Sequence, residues 1–188
     1  MTPLILERVK ELGYAVFEDG LHNLNIIGIR SKDSVPNTFD DRLCVVYKDA
    51  GGWLTRTWAC TTDPGRYYLE HPMNVAGTAV LKPGQYRGAF KIGMHRGQYE
   101  ALVQCKNVDV YRDINRNAVV DPDTTVTYSG TYGINIHKAG GHSTSVDKWS
   151  AGCQVFANSS DFKGFMDICR KQVSERGWHR FTYTLIEV

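Results

Sequence analysis

The chain has 188 residues, 42% of them hydrophobic and 22% charged, with a net charge of +2. That length sustains one domain with a real core, and basic residues that are scattered rather than clustered exclude a dedicated nucleic-acid surface. No apolar run approaches membrane-spanning length, and Thr2-Pro3-Leu4-Ile5-Leu6-Glu7-Arg8 lacks the basic start and long apolar stretch of an export signal. Thr2 and Pro3 then suggest an N-cap and first turn, with Leu4, Ile5, Val9 and Leu12 at helical spacing and Gly13 as the stop. This predicts an amphipathic helix over about 3–13.

From about residue 23 to 156 the pattern turns to short strands. Residues 26–29, 43–47, 53–59, 78–81 and 101–105 are rich in β-branched or aromatic side chains. Turns at Ala50-Gly51-Gly52, Asp63-Pro64-Gly65 and Lys82-Pro83-Gly84 separate them. Residues 108–111, 126–128 and 134–136 continue the series. Beyond residue 158 the period changes. Phe162, Phe165, Met166, Cys169 and Val173 recur at helical spacing, Asn158 to Asp161 offer caps, and Gly177 offers a stop. A final strand is expected over 181–188. The expectation is a mainly β (α+β) single domain over 1–188 carrying two helices.

Five cysteines, Cys44, Cys60, Cys105, Cys153 and Cys169, form no CxxC pair. An odd count without such spacing argues against a disulfide framework or structural zinc. Four of them sit in apolar segments and read as small buried hydrophobes. Cys153 differs, because Ser150-Ala151-Gly152 before it is turn-compatible and a turn exposes a thiol.

His137 precedes Cys153 with fifteen residues between them, enough for one strand to leave and another to return beside it. A thiol is mostly protonated near neutral pH, and an adjacent imidazole takes that proton. An imidazolium partner would lower the thiol pKa from about 8.5 to roughly 3.5–7.5. The amides of Cys153 and Gly152 are the candidate oxyanion donors. Ser150 is expected to orient the loop or hydrogen-bond the imidazole. His142, in Ala139-Gly140-Gly141-His142-Ser143, is a rival base or lines the substrate opening, and His95 reaches the cleft or lies in a surface turn. His22, His71 and His179 read as structural or solvated. Tyr132 and Trp149 are candidate cleft walls that contact substrate.

Gly133-Ile134-Asn135-Ile136-His137-Lys138, followed by Ser150-Ala151-Gly152-Cys153 and then Gln154-Val155-Phe156-Ala157-Asn158, resembles the active-site signature of L,D-transpeptidase (YkuD-type) catalytic domains. The resemblance covers roughly residues 40–170. It implies an L,D-transpeptidase-like β-sandwich or barrel with a helix after the cysteine. It also implies a thiolate attacking an L,D peptide bond in the stem peptide of peptidoglycan. Resolution by an amine gives cross-linking, and resolution by water gives carboxypeptidase or endopeptidase action. Ala151 stands where the family carries a second histidine, and Val155 where it carries an arginine. The implied partner is a peptidoglycan peptide, reached at the bacterial cell wall after release or delivery, as by a phage-type lysin. The alternative is a non-catalytic binding or structural module, a phage or envelope component that keeps the fold.

No cofactor is required by this chemistry. One stretch nevertheless spaces its oxygens like the start of a calcium loop: Asp113, Asn115, Asn117 and Asp121. Ala118 stands where such a loop prefers glycine, and Thr124 where it carries glutamate. An Asp/Asn-rich hairpin turn accounts for the same residues.

Overall fold

From the N-terminus the chain runs through helix α1 (Leu4–Glu11) and strands β1 (Asn25–Arg30), β2 (Asp41–Asp49) and β3 (Gly52–Thr61). A short helix α2 (Arg66–Glu70) leads to β4 (Thr78–Leu81), β5 (Gly84–His95), β6 (Tyr99–Gln104), β7 (Val108–Asp113) and β8 (Asp123–Gly130). Then follow β9 (Ile136–Lys138), β10 (Gln154–Phe156), helix α3 (Ser159–Arg176) and β11 (Phe181–Glu187). The structure, a computed structural model, describes residues 2–32 and 36–188.

Eight strands close into a barrel in the order β1-β11-β5-β6-β9-β10-β3-β2, and β4-β7-β8 form a separate sheet. The fold is therefore mainly β, as expected, with three helices among the described residues rather than two. The extra one, α2, has only five residues, too short to show a helical period in sequence.

Alternation along the strands sorts the apolar residues into two cores. Ile26, Leu43, Val45, Phe90, Leu102, Ile136, Phe156, Tyr183 and Leu185 share the main one. Ile27, Cys44, Val46 and Ile186 face the other way, where Leu6 and Val9 of α1 cover them. Helix α3 adds Phe162, Phe165, Met166 and Cys169 to the main core. It starts where predicted, since the Asn158 side chain accepts from the Ser160 amide, and ends at Gly177 with φ 67°. Helix α1 starts one residue later than the sequence suggested. Pro3 is its cap and no side chain caps it.

Cys44, Cys60 and Cys169 are buried as expected, but Cys105 is only half-buried. It falls just past the end of β6, where the Arg180 guanidinium meets its sulfur.

The segment that carries the site is β9, the loop 139–153 and β10. Strands β9 and β10 pair in parallel, with Gln154 opposite Ile136, Val155 opposite His137 and Phe156 opposite Lys138. A parallel pair needs a long connection, and here the loop supplies it without a helix. That loop is pinned rather than free. The Gly65 amide donates to Ser150 O at 2.9 Å, and Val146 donates to Asn37 O at 3.1 Å. A β-carbon on Gly65 would collide with the Asp147 backbone.

Candidate active site

Ile136 and Phe156 point into the main core, so alternation turns His137 and Val155 to the opposite face of the β9–β10 pair. Cys153 lies one residue before β10, and Gln154 fixes its position by donating from its amide to Asn135 O at 2.9 Å. Asn135, His137, Cys153 and Val155 thus share a face. The two groups that the sequence pairs lie on this one face, with Cys153 next to Asn135 and His137 two residues further along.

Gly152 makes the cysteine turn. Its φ is +119°, and a β-carbon there would overlap Ala79 O of β4 and press on Ile134. Only glycine fits this backbone and this approach. Ser150 is fully buried and closes the turn, donating from Oγ to Cys153 O at 2.8 Å and accepting from the Gly152 amide at 3.1 Å. Ser150 therefore orients the loop and does not touch the imidazole. The Gly152 amide is already spent on Ser150, which removes it from the expected oxyanion pair. The Cys153 amide enters none of the turn's hydrogen bonds.

The Cys153 sulfur sits between two backbone groups. It donates its proton toward Gly133 O at 3.4 Å and receives the Asn135 amide at 3.4 Å. Burial pushes its thiol pKa up, while the Asn135 amide and the Arg96 charge pull it back in part.

His137 is 3% exposed. Its Nδ1 lies 2.9 Å from Lys138 O, an acceptor, so Nδ1 carries the proton and Nε2 keeps the free lone pair. Tyr99 braces this arrangement, its hydroxyl 3.2 Å from the same carbonyl and 3.3 Å from Nδ1. Burial, then the neighbouring His95, hold the His137 pKa down to about 3. The resting pair is neutral thiol and neutral imidazole. Burial disfavours both charges of an imidazolium–thiolate pair and so opposes the lowering of the thiol pKa that an imidazolium partner would bring.

His95 ends β5 and is 7% exposed, so it is not in a surface turn. Its ring stacks on His137 with centroids 4.0 Å apart and planes 22° apart. Asn135 sets its tautomer. The Asn135 Oδ1 accepts from the Gln104 amide, so Nδ2 faces His95 and donates to Nδ1 at 3.1 Å. The His95 proton is therefore on Nε2. A second imidazole reaches the site from β5, although Ala151 supplies none.

His142 is exposed, held by Asn158 Nδ2 at 3.3 Å, and makes no contact with His137 or Cys153. Trp149 is 45% exposed and lies over Gly140 within the loop, so it is not a packed wall. Tyr132 does line a cleft. A cavity of about 330 Å³ is bounded by Tyr132, Ala151, Thr78, Ala79, Tyr68 and Arg112. A larger one, about 530 Å³, is lined by Arg87, Lys106, Trp178 and Arg180 and includes none of the site residues.

Sequence reasoning missed Gln104, Tyr99 and the contact of His95. Gln104 accepts from the Tyr132 and Ile134 amides and donates to Gly130 O and Lys106 O. It fixes the turn whose Gly133 carbonyl holds the thiol. Asn135 stood within the recognised motif, and its amide between a strand and a histidine was the available signal.

The candidate calcium loop folds onto itself. Asn115 and Asn117 donate from Nδ2 to the two oxygens of Asp121, while their own oxygens accept from the Asn117 and Val119 amides. Asp113 Oδ2 accepts from the Asp121 amide. These hydrogen bonds are those of turn formers, while Asp113 Oδ1 is buried without a partner among the described residues. Among the described residues no group of three or more His, Cys, Asp or Glu is placed to hold a metal ion.

In comparisons with known proteins, no family model, no curated protein and no solved structure matches the chain. Among the described residues no helix is long and apolar enough to cross a membrane.

Proposed function

We propose that this chain is a cysteine acyltransferase or peptidase of L,D-transpeptidase type, acting at an L,D peptide bond in peptidoglycan stem peptides. One observation carries the reading. Cys153, one residue before β10, and His137 of β9 lie on one face of this parallel pair, and Lys138 O fixes the imidazole as the tautomer whose Nε2 accepts a proton.

In this reading His137 Nε2 removes the Cys153 proton as sulfur attacks the scissile carbonyl. The sulfur–carbon bond forms, and the Cys153 amide donates to the resulting oxyanion. The carbon–nitrogen bond then breaks, and the leaving amine takes the proton from His137. Water or an acceptor amine attacks the thioester, giving its proton to His137, and the thiol is restored.

The test is the mass of products from defined muropeptides. Loss of a terminal D-residue, or its exchange for an added amine, supports the reading. Intact substrate with a correctly folded protein overturns it.

A non-catalytic module is the second reading, favoured by the burial that keeps the Cys153 thiol protonated. Labelling separates the two. Iodoacetamide that modifies Cys153 no faster than the half-buried Cys105 supports the module, and selective acylation of Cys153 by a carbapenem-type reagent supports the enzyme.

A further inference from the structure

We infer that the cavity beside the cysteine turn is a carboxylate-binding subsite, with the guanidinium of Arg112 as its anion-recognising group. Tyr132, Ala151, Thr78 and Asn74 line it together with Arg112, and none of its lining residues is acidic. Arg112 projects from β7, where it pairs with Ala79 of β4. One nitrogen, Nη1, donates to Gly77 O at 3.0 Å. The Nε–H is buried and has no acceptor among the described residues. A buried donor left unmade is costly, and a guanidinium matches a carboxylate by two parallel hydrogen bonds. With Nη1 occupied, the Nε–Nη2 edge is the one left for such a fork.

The aromatic ring of Tyr132 holds the guanidinium in place, 4.9 Å away, and Tyr128 adds a second face at 6.0 Å. The cavity lies against the cysteine turn through Ala151, while Cys153 itself is not among its lining residues. Tyr132 precedes Gly133, whose carbonyl receives the thiol, and Ala151 stands two residues before Cys153. Ala151 contributes only a methyl group to this wall, which leaves the space open.

The subsite rests on the proposed function only for the identity of its ligand, so binding is read without turnover. Cys153→Ala protein is titrated with a stem tetrapeptide in three forms: free, amidated at its C-terminus, and amidated at its side-chain carboxylate. The expected result is that one amidation weakens binding by about tenfold or more, which is the scale of a charge-assisted pair. That amidation identifies the carboxylate recognised. In Cys153→Ala/Arg112→Gln the penalty for the same amidation falls to within about twofold. Equal affinity for all three forms, or a penalty that survives Arg112→Gln, overturns the inference. The amidation series needs no change at Arg112, so it stands even where that variant fails to fold. Carboxylate-dependent binding without turnover by the unaltered protein sinks the enzyme reading and leaves the subsite. Turnover indifferent to amidation does the reverse.

Discussion

The rings of His95 and His137 stack 4.0 Å apart, one from the end of β5 and the other from the middle of β9. A protonated ring in this stack would face a second imidazole and the nearby Arg96, with little water to screen it. The stack therefore keeps His137 neutral and its Nε2 available.

Replacing His95 with Gln removes one of the causes that depress His137. The His137 pKa, followed by the NMR shift of its ring protons, should move upward from about 3. The acid limb of kcat/KM should rise with it. In the unaltered protein that limb should lie well below the usual imidazole value of about 6.5.

The same burial ties stability to pH. An unfolded histidine titrates near 6.5, whereas folded His137 stays neutral to about 3. Between those values the unfolded chain binds the extra proton, so this contribution is present above pH 6.5 and is lost as pH falls toward 3. Asp63, raised to about 6 by burial, works in the opposite direction. Comparison with His137→Gln isolates the histidine. The stability difference, unaltered minus variant, should shrink by up to about 1.4 kcal/mol per pH unit across that window, read from urea midpoints.

Gly152→Ala puts a β-carbon against Ala79 O at a φ of +119°. The turn must shift, costing about 1–3 kcal/mol and displacing the sulfur. Thermal unfolding should register the cost, and activity should fall further than the stability loss explains.

Gln104→Ala strands the Tyr132 and Ile134 amides that the side chain now satisfies. Each unmade buried bond costs about 1–3 kcal/mol. Gln104→Glu keeps both acceptor bonds but loses the two donated ones. Denaturant midpoints should rank the unaltered protein above both variants.

Much of this was legible in the sequence. The caps of α3, the apolar face of α1 and most strands follow from period and turn chemistry, and two strands with a loop between set His137 and Cys153 on one face. Strand β5 was hidden. Gly88 and Gly93 interrupt its alternation, and Gly88 has φ 58°. Its pairing with β11 shifts register between Phe181 and Tyr183. A closed barrel requires such irregularities, but in sequence they read as turns. His95, at the end of β5, therefore reads in sequence as reaching the cleft or lying in a surface turn. The start of β9 lay two residues later than expected, because Gly133, with φ 69°, and its neighbours form a turn stitched to Gln104. Arg112 reads as one polar residue in an alternating strand, and only the sheet register brings it to the cavity.

The central claim is that Cys153 forms a thioester with the substrate. Intact-protein mass spectrometry after rapid quenching in acid, with a defined stem tetrapeptide as substrate, tests it most directly. An adduct of the acyl fragment's mass on Cys153, absent from Cys153→Ala together with all turnover, is the predicted result. Turnover that persists in folded Cys153→Ala would contradict it.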